Sequence, residues 1–212
     1  MTRAEDLAVW IAPDRTAVLV IDMQVDFASP DGALGAHVDM SVVEPALASA
    51  EKLVADARAA GAPVVFVGLW TTPETDSAAW NERLRRRGGN PKIDAALCRA
   101  GENGSAFYGP QPAPGELVVR KTRYSAFVGT DLDQRLRDMG VDTLVVAGLT
   151  TECCVDSTVR DAFDLDYHVF VAADACAAYE ADLHEASLKV MELNSAILTD
   201  TAAIAQAWKG AA

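Results

Sequence analysis

Long apolar runs and positive charge are both scarce in this sequence. No uninterrupted apolar stretch approaches the ~20 residues needed to span a bilayer. The opening residues, MTRAEDLAVWIAPD, carry acids where a signal peptide would have its apolar segment. Asp and Glu outnumber Lys and Arg by 31 to 18, for a formal net charge of −13, which disfavours nucleic acid and membrane as partners. We therefore expect a cytoplasmic protein with a solvated acidic surface and a small-molecule substrate.

Cysteine and histidine are also few, and their spacing excludes several kinds of site. The four cysteines lack the spaced pairs of a zinc site or a disulfide framework, so we expect reduced thiols at Cys98, Cys153, Cys154 and Cys176. None of the three histidines lies in a motif that would make it the base for a cysteine: His37, His168 and His184. There is no GxGxxG after a strand and no P-loop, so no cofactor is predicted.

Strand-like and helical patterns alternate along the 212 residues, which predicts a single α/β domain over residues 1–212. Six short apolar runs are predicted strands: Ala17–Ile21, Val64–Leu69, Glu116–Val119, Thr143–Gly148, Tyr167–Ala173 and Ser195–Thr199. Helical spacing marks four further segments: Val42–Ala60, Asp131–Met139, Glu152–Asp164 and Asp182–Leu193. Strands that are apolar on both faces and joined by helical crossovers predict a parallel sheet covered on both sides.

The segment Trp70–Pro114 breaks this alternation. It is irregular and rich in Gly, Pro and charge, which is typical of a long functional excursion with a helical turn or two. Its run ERLRRRGG fits a solvated helical face better than a phosphate-binding patch.

Three ionisable residues follow or end predicted strands. Asp22 closes the first strand, Lys121 follows the third, and Cys154 follows the fourth, at the start of a helix. Parallel α/β sheets bind ligands at this edge, and a helix N-terminus favours thiolate over thiol. A thiol, an acid that takes its proton and a cation that holds both would suit nucleophilic hydrolysis. The alternative for each residue alone is a salt bridge or a packing role.

Three blocks of sequence together match a known pattern. They are LVIDMQVDF at 19–27, KTRYSAF at 121–127 and AGLTTECCVDSTVRDAF at 147–163. Through them the chain resembles the isochorismatase-like cysteine hydrolases over nearly its whole length. The predicted fold is then a three-layer α/β/α domain around a six-stranded parallel sheet of order 3-2-1-4-5-6. In that order the first and fourth strands meet where the strand order reverses, which brings Asp22 and the Cys154 loop together.

The resemblance implies a role for each of these residues. Asp22, Lys121 and Cys154 would form the family's catalytic triad, with Cys154 rather than Cys153 as nucleophile because it directly precedes the Val of the CV-x-x-T motif. The family's cis peptide would fall at Leu149–Thr150. The backbone N–H groups of Thr150 and Cys154 would then form the oxyanion hole.

Departures from the family pattern narrow the reaction. The stretch after the second strand, GLWTTPETDS, has no His, so neither a metal nor nicotinamidase activity is expected. The segment FASPDGALG resembles the ureidoacrylate and carbamoyl-amide hydrolase branch. We therefore expect a hydrolase for C–N bonds that cleaves a small linear amide, ureido or carbamoyl compound through an acyl-enzyme and releases ammonia or an amine.

Several expectations remain open at this point. Six residues are candidates to bind substrate: Gln24, Phe27, Trp70, Arg123, Tyr124 and Thr151. A core role is an alternative for Phe27 and Trp70. Arg123 could pair with a substrate carboxylate, and a surface salt bridge is the alternative. The alternative functions are isochorismatase-type vinyl-ether hydrolysis, a nicotinamidase-like amidase, a thiol redox sensor using Cys153–Cys154, and a silent binding protein. The family resemblance implies a homodimer or homotetramer.

Overall fold

A six-stranded parallel sheet forms the centre of the protein in the computed structural model, which describes residues 3–209. The strand order is β3-β2-β1-β4-β5-β6, and every neighbouring pair is parallel. The strands are β1 (Thr16–Ile21), β2 (Val64–Leu69), β3 (Leu117–Lys121), β4 (Thr143–Leu149), β5 (His168–Ala177) and β6 (Ile197–Thr199). This confirms the predicted α/β class and strand order.

The three central strands are the most apolar segments of the chain. Every residue of β1, β2 and β4 is buried, because helices cover both faces of the sheet. β-branched side chains pack well on a pleated, fully buried surface, so runs such as TAVLVI and TLVVAGL favour strand over helix.

The helices form the two outer layers. They are α1 (Arg3–Trp10), α2 (Val25–Ala28), α3 (Val43–Ala60), α4 (Ala78–Arg86), α5 (Pro91–Asp94), α6 (Leu132–Asp138), α7 (Asp156–Asp164), α8 (Ala181–Asn194) and α9 (Thr201–Lys209). Helices α1, α3 and α9 contribute to one apolar core against the sheet. Helices α6, α7 and α8 contribute to the core on the opposite face. The protein therefore has the predicted three layers.

Several boundaries differ from the sequence prediction. Strand β3 runs on through Lys121, and β5 continues to Ala177. Helices α1 and α9 were not predicted, although Ile204 and Trp208 of α9 are buried and the Trp208 indole donates to the Ile11 carbonyl. These two helices pack against α3 or each other, so tertiary contacts rather than local signals define them.

The chain between β2 and β3 matches the expected excursion. It holds α4, α5 and a single 3₁₀ turn at Asn103–Ser105, joined by turns. Ser77 caps α4 by accepting from the Trp80 N–H, and Asn90 caps α5 by accepting from the Lys92 N–H. The charged run lies on α4, with Arg85 and Arg86 exposed as the solvated-face interpretation predicts.

Gly148 sets how closely β1 and β4 approach at the functional edge. Its φ of +146° is a conformation that favours glycine, and a Cβ there would lie 2.2 Å from the Ile21 carbonyl oxygen. The pair Ile21↔Gly148 is the last in register between the two strands. The chain segments that leave β1 and β4, with Asp22 and Cys154, therefore start side by side. Within residues 3–209, no helix is long and apolar enough to cross a membrane.

Candidate active site

Asp22, Lys121 and Cys154 converge at the carboxyl edge of the sheet. The Lys121 Nζ donates to Asp22 Oδ2 at 2.7 Å and lies 3.5 Å from the Cys154 Sγ. It also donates to the Arg123 carbonyl at 3.0 Å. Lys121 is the last residue of β3, which lies two strands away from β1 in the sheet. Its ammonium links the Asp22 carboxylate, which follows β1, with the Cys154 thiol, which follows β4.

All three side chains are removed from solvent. Asp22 and Lys121 are each 1% exposed and Cys154 is 7% exposed. The Asp22 backbone has a φ of +51°, and its N–H donates to the Val67 carbonyl. This conformation turns the residue out of the β1 ladder. The second carboxylate oxygen, Oδ1, makes no hydrogen bond with the described residues, so a lone pair remains for a proton.

Burial and pairing act in opposite directions on the two charges. Burial raises the pKa of Asp22 above its ordinary value, and the Lys121 charge and the Cys154 thiol partly offset this shift. Burial alone would lower the pKa of Lys121, but Asp22 and Cys154 outweigh it and the pKa is raised. The pair is therefore a charged lysine beside a carboxylate that accepts a proton more readily than an exposed aspartate.

The Cys154 thiol is not poised as a free thiolate. The neighbouring Cys153 thiol, burial and the Asp22 charge raise the pKa of Cys154 well above the ordinary value. The Cys154 thiol in turn lowers the pKa of Cys153. This direction for Cys154 is opposite to the one that a helix N-terminus would produce. Residues Thr151–Val155 form a π-helical turn in which Cys154 is buried, and the Asp22 charge acts against its ionisation.

Hydrogen bonds from two elements hold the Cys154 turn in place. The Thr158 hydroxyl of α7 donates to the Cys154 carbonyl at 2.7 Å and accepts from the Ala126 N–H at 3.0 Å. Thr158 thereby joins the second and third motif blocks, which hold the loop after Lys121 and the Cys154 turn. The peptide bond Leu149–Thr150 is cis, as predicted from the family resemblance.

A cavity of about 290 Å³ opens beside these three residues. Asp22, Cys154 and Thr150 line it, so both residues of the predicted oxyanion hole border the cavity. Two predicted substrate-binding residues, Phe27 and Tyr124, also line the cavity. Its size suits a small molecule rather than a polymer segment.

Gln24 and Trp70 lie outside the lining of this cavity. The buried Gln24 amide donates to the carbonyls of Leu69 and Ser105 and accepts from the Leu69 N–H at 2.7 Å. It therefore ties the end of β2 to the excursion. The Trp70 ring packs edge-on against Phe107, and the Arg120 guanidinium lies 5.1 Å from its centre. The Gln24 side chain is thus engaged in structural hydrogen bonds and the Trp70 ring in packing.

Arg123 and Thr151 are also engaged elsewhere. The Arg123 guanidinium donates to the carbonyls of Thr75 and Thr122, away from the cavity lining. The buried Thr151 hydroxyl lies 2.8 Å from the His184 Nδ1. Arg123, which was predicted to bind a substrate carboxylate, is thus hydrogen-bonded to main-chain oxygens instead.

Sequence reasoning missed several residues that line the cavity. Trp80 packs against Tyr124 with ring centres 4.8 Å apart, and Arg83 follows on the same helix, α4. Glu152 comes from the Cys154 turn and Tyr179 from the chain after β5. The charged run around Arg83 was visible in the sequence, but its distance of some 70 residues from the cysteine motif hid its position.

The described residues do not supply the ligand set of a metal site. Among residues 3–209, no three His, Cys, Asp or Glu side chains cluster so as to hold an ion. In the GLWTTPETDS stretch, the side chains of Thr71 and Asp76 accept hydrogen bonds from the Arg99 guanidinium.

Comparison with known proteins connects this site to a family. The isochorismatase domain model matches residues 16–203. The chain is 37% identical to ureidoacrylate amidohydrolase RutB from Methylobacterium radiotolerans, over 97% of this chain and 83% of that protein. A cysteine hydrolase from Pseudomonas syringae pv. phaseolicola superposes with a TM-score of 0.85 at 30% identity, covering 96% of both chains. A nicotinamidase from Bacillus subtilis superposes with a TM-score of 0.73 at 25% identity, covering 87% of this chain and all of that one. The chain belongs to the isochorismatase family.

Proposed function

We propose that this protein hydrolyses the amide bond of a small linear ureido or carbamoyl compound through a covalent intermediate on Cys154. The observation that carries the proposal is the position of Lys121, whose ammonium contacts both Asp22 Oδ2 and the Cys154 Sγ. A base, a nucleophile and the cation that orients both meet at one wall of a small cavity.

The first step forms the bond between sulfur and the substrate carbonyl. Asp22 accepts the thiol proton as the Cys154 sulfur attacks, and Oδ1 has no competing partner among the described residues. The carbonyl oxygen becomes an oxyanion, which the N–H groups of Thr150 and Cys154 stabilise. Because the pKa of Cys154 is raised, proton transfer accompanies attack rather than preceding it.

The second step breaks the C–N bond. Asp22 returns its proton to the leaving nitrogen, which departs as ammonia or an amine and leaves a carbamoyl group on Cys154 as a thiocarbamate. Water, deprotonated by Asp22, then attacks the thiocarbamate carbonyl. The C–S bond breaks to release the carbamate product, and Asp22 returns the proton to the Cys154 thiolate. Lys121 stays charged throughout and keeps the ionised form of Asp22 oriented between steps.

The rest of the cavity suits a substrate with an apolar body and an anionic end. Trp80, Tyr124 and Phe27 form an aromatic wall. Arg83 makes no salt bridge within residues 3–209, whereas Arg85 and Arg86 of the same helix both pair with Glu82. The role that the sequence suggested for Arg123, binding a carboxylate, suits Arg83 better. The amidohydrolase relatives act on ureidoacrylate by name, which supports a ureido acid as substrate.

Kinetics on paired substrates test the proposal. Release of ammonia is measured for a ureido acid, a carbamoyl amino acid and nicotinamide, with the Cys154→Ala variant as blank. We expect the ureido or carbamoyl acid to exceed nicotinamide by at least ~100-fold in kcat/KM, or roughly 2.7 kcal/mol. A pyridine ring finds no metal-ligand cluster among the described residues to fix its nitrogen, so its carbonyl would be poorly oriented. Nicotinamide as the equal or better substrate would overturn the proposal.

A further inference from the structure

Glu152 is an acidic residue close to the nucleophile, and the proposed mechanism does not use it. It lies in the turn Thr151–Val155, two positions before Cys154, and it lines the active-site cavity. Its charge influences the pKa values of Cys153 and Tyr179. Glu152 therefore acts on two residues that line the same cavity as Cys154.

The Glu152 carboxylate has no partner within residues 3–209. Its Oε2 is buried and makes no hydrogen bond with them, and the side chain forms no salt bridge with them. Burying an unpaired carboxylate oxygen is costly, so such a group in a cavity points to a ligand that completes it.

No cationic group of the described residues forms a salt bridge with Glu152, and this includes Arg83 on the wall of the same cavity. Lys121 is bound to Asp22. His184 is close enough for Glu152 to act on it, but burial lowers the pKa of His184, so its ring is neutral at pH 7. The His184 Nδ1 is also engaged with the Thr151 hydroxyl. The Oε2 atom of Glu152, which has no hydrogen-bond donor among the described residues, can therefore accept a hydrogen bond from the substrate.

We propose that Glu152 accepts hydrogen bonds from substrate N–H groups and thereby selects a ureido group over a simple amide. An ionised carboxylate only accepts hydrogen bonds, so its complement is a donor. A ureido group carries N–H on both sides of its carbonyl, whereas a simple primary amide carries carbon on one side. Glu152 is in this sense a positioning and specificity residue, and the proposal rests on the amidohydrolase function above.

The test compares a ureido acid with the isosteric amide in which CH₂ replaces the ureido N–H. The wild type should prefer the ureido acid by ~10-fold or more in kcat/KM, because a site built to bind a donor rejects the analogue that lacks it. Glu152→Met removes both acceptors at similar length and should lower kcat/KM for the ureido acid ~30-fold, with the isostere changed less than about twofold. Glu152→Gln keeps one acceptor and should fall between.

Glu185→Gln is the matched control, since Glu185 also acts on His184 but does not line the cavity. This variant should leave the ratio of kcat/KM for the ureido acid to kcat/KM for the isostere at the wild-type value. Equal losses on both substrates in the Glu152 variants, or a wild type that prefers the isostere, would overturn the proposal. A wild type that cleaves neither compound would instead contradict the proposed function, so the two failures are distinguishable.

Discussion

The Lys121 Nζ lies 2.7 Å from Asp22 Oδ2, although 99 residues separate the two in sequence. Both side chains are almost fully buried, so neither charge has water to stabilise it. Removing one member of such a pair is strongly destabilising because it leaves a buried charge without a partner. The pair therefore couples the active site to the order of the strands: Asp22 and Lys121 meet only if β1, β2 and β3 are correctly assembled.

Replacing Asp22 with Asn should lower turnover by several orders of magnitude while the protein stays folded. Asn has the same shape and keeps an oxygen for the Lys121 Nζ, but it cannot take the Cys154 proton. Steady-state kinetics and circular dichroism of the variant check this. Near-wild-type turnover in a folded Asp22→Asn variant would show that another group activates the thiol.

The pH profile should reflect the raised pKa of Asp22. The base must be ionised before attack, so kcat/KM falls as the pH drops through the pKa of the folded enzyme. Because burial raises that pKa, the acid limb should have its midpoint above the ~3.9 of an exposed aspartate. Rates measured from pH 4 to pH 9 on the ureido acid decide this; a flat profile down to pH 4 would contradict it.

Cys154→Ala should abolish turnover, whereas Cys153→Ala should retain it within about fivefold. Only Cys154 contacts the Lys121 Nζ, and it is the residue that directly precedes Val155 in the family motif. The lowered pKa of Cys153 makes alkylation an ambiguous probe. Mass spectrometry of the enzyme quenched during turnover is better, and the acyl adduct should map to Cys154. An adduct on Cys153 would refute the assignment.

Much of this site could be predicted because its residues follow strands or end them. Runs such as AVLVI and TLVVAG identify buried parallel strands from composition alone, and the carboxyl ends of parallel strands share one edge. Asp22 and Cys154 are adjacent to such runs, so their meeting follows from strand order. Lys121 was expected just after β3 and is instead its last residue. It still lies at the carboxyl edge of the sheet, as predicted.

The rest of the cavity could not be predicted, because packing over long distances decides it. Gln24 is polar and next to Asp22, which suggested substrate binding, but its amide satisfies the backbone of β2 and of the excursion. Arg83 and Trp80 reach the cavity only because α4 folds back over the sheet edge. No periodicity in the sequence indicates where a helix in a long excursion will dock.

Gly148→Ala should destabilise the fold by more than about 2 kcal/mol, because a Cβ would lie 2.2 Å from the Ile21 carbonyl oxygen and the backbone φ is positive. Gly140→Ala is the matched control: its φ is also positive, but nothing lies within 4 Å of the added Cβ. That variant should cost only about 1 kcal/mol. Urea unfolding of both variants measures the difference, and equal losses would show that the strand contact is not what requires glycine.

Arg83 is the cation available to a substrate anion, which leads to a prediction that separates binding from chemistry. It lines the cavity and forms no salt bridge within the described chain, while Arg85 on the same helix pairs with Glu82. Arg83 is far more exposed than the buried triad, so its contact with a carboxylate is worth about 1 kcal/mol or slightly more.

Arg83→Ala should therefore raise KM for a ureido acid ~5- to 10-fold with kcat nearly unchanged, because the carboxylate contact is the same in the ground and transition states. The KM for a neutral alkylurea should not change, since this compound has no carboxylate for Arg83 to bind. Arg83→Lys should recover only part of the loss because an ammonium lacks the paired donors of a guanidinium. Arg85→Ala makes the same change in net charge and should leave KM unchanged. If Arg85→Ala raises KM as much as Arg83→Ala, the effect is general electrostatic attraction; a fall in kcat with KM unchanged would instead place Arg83 in the chemical step.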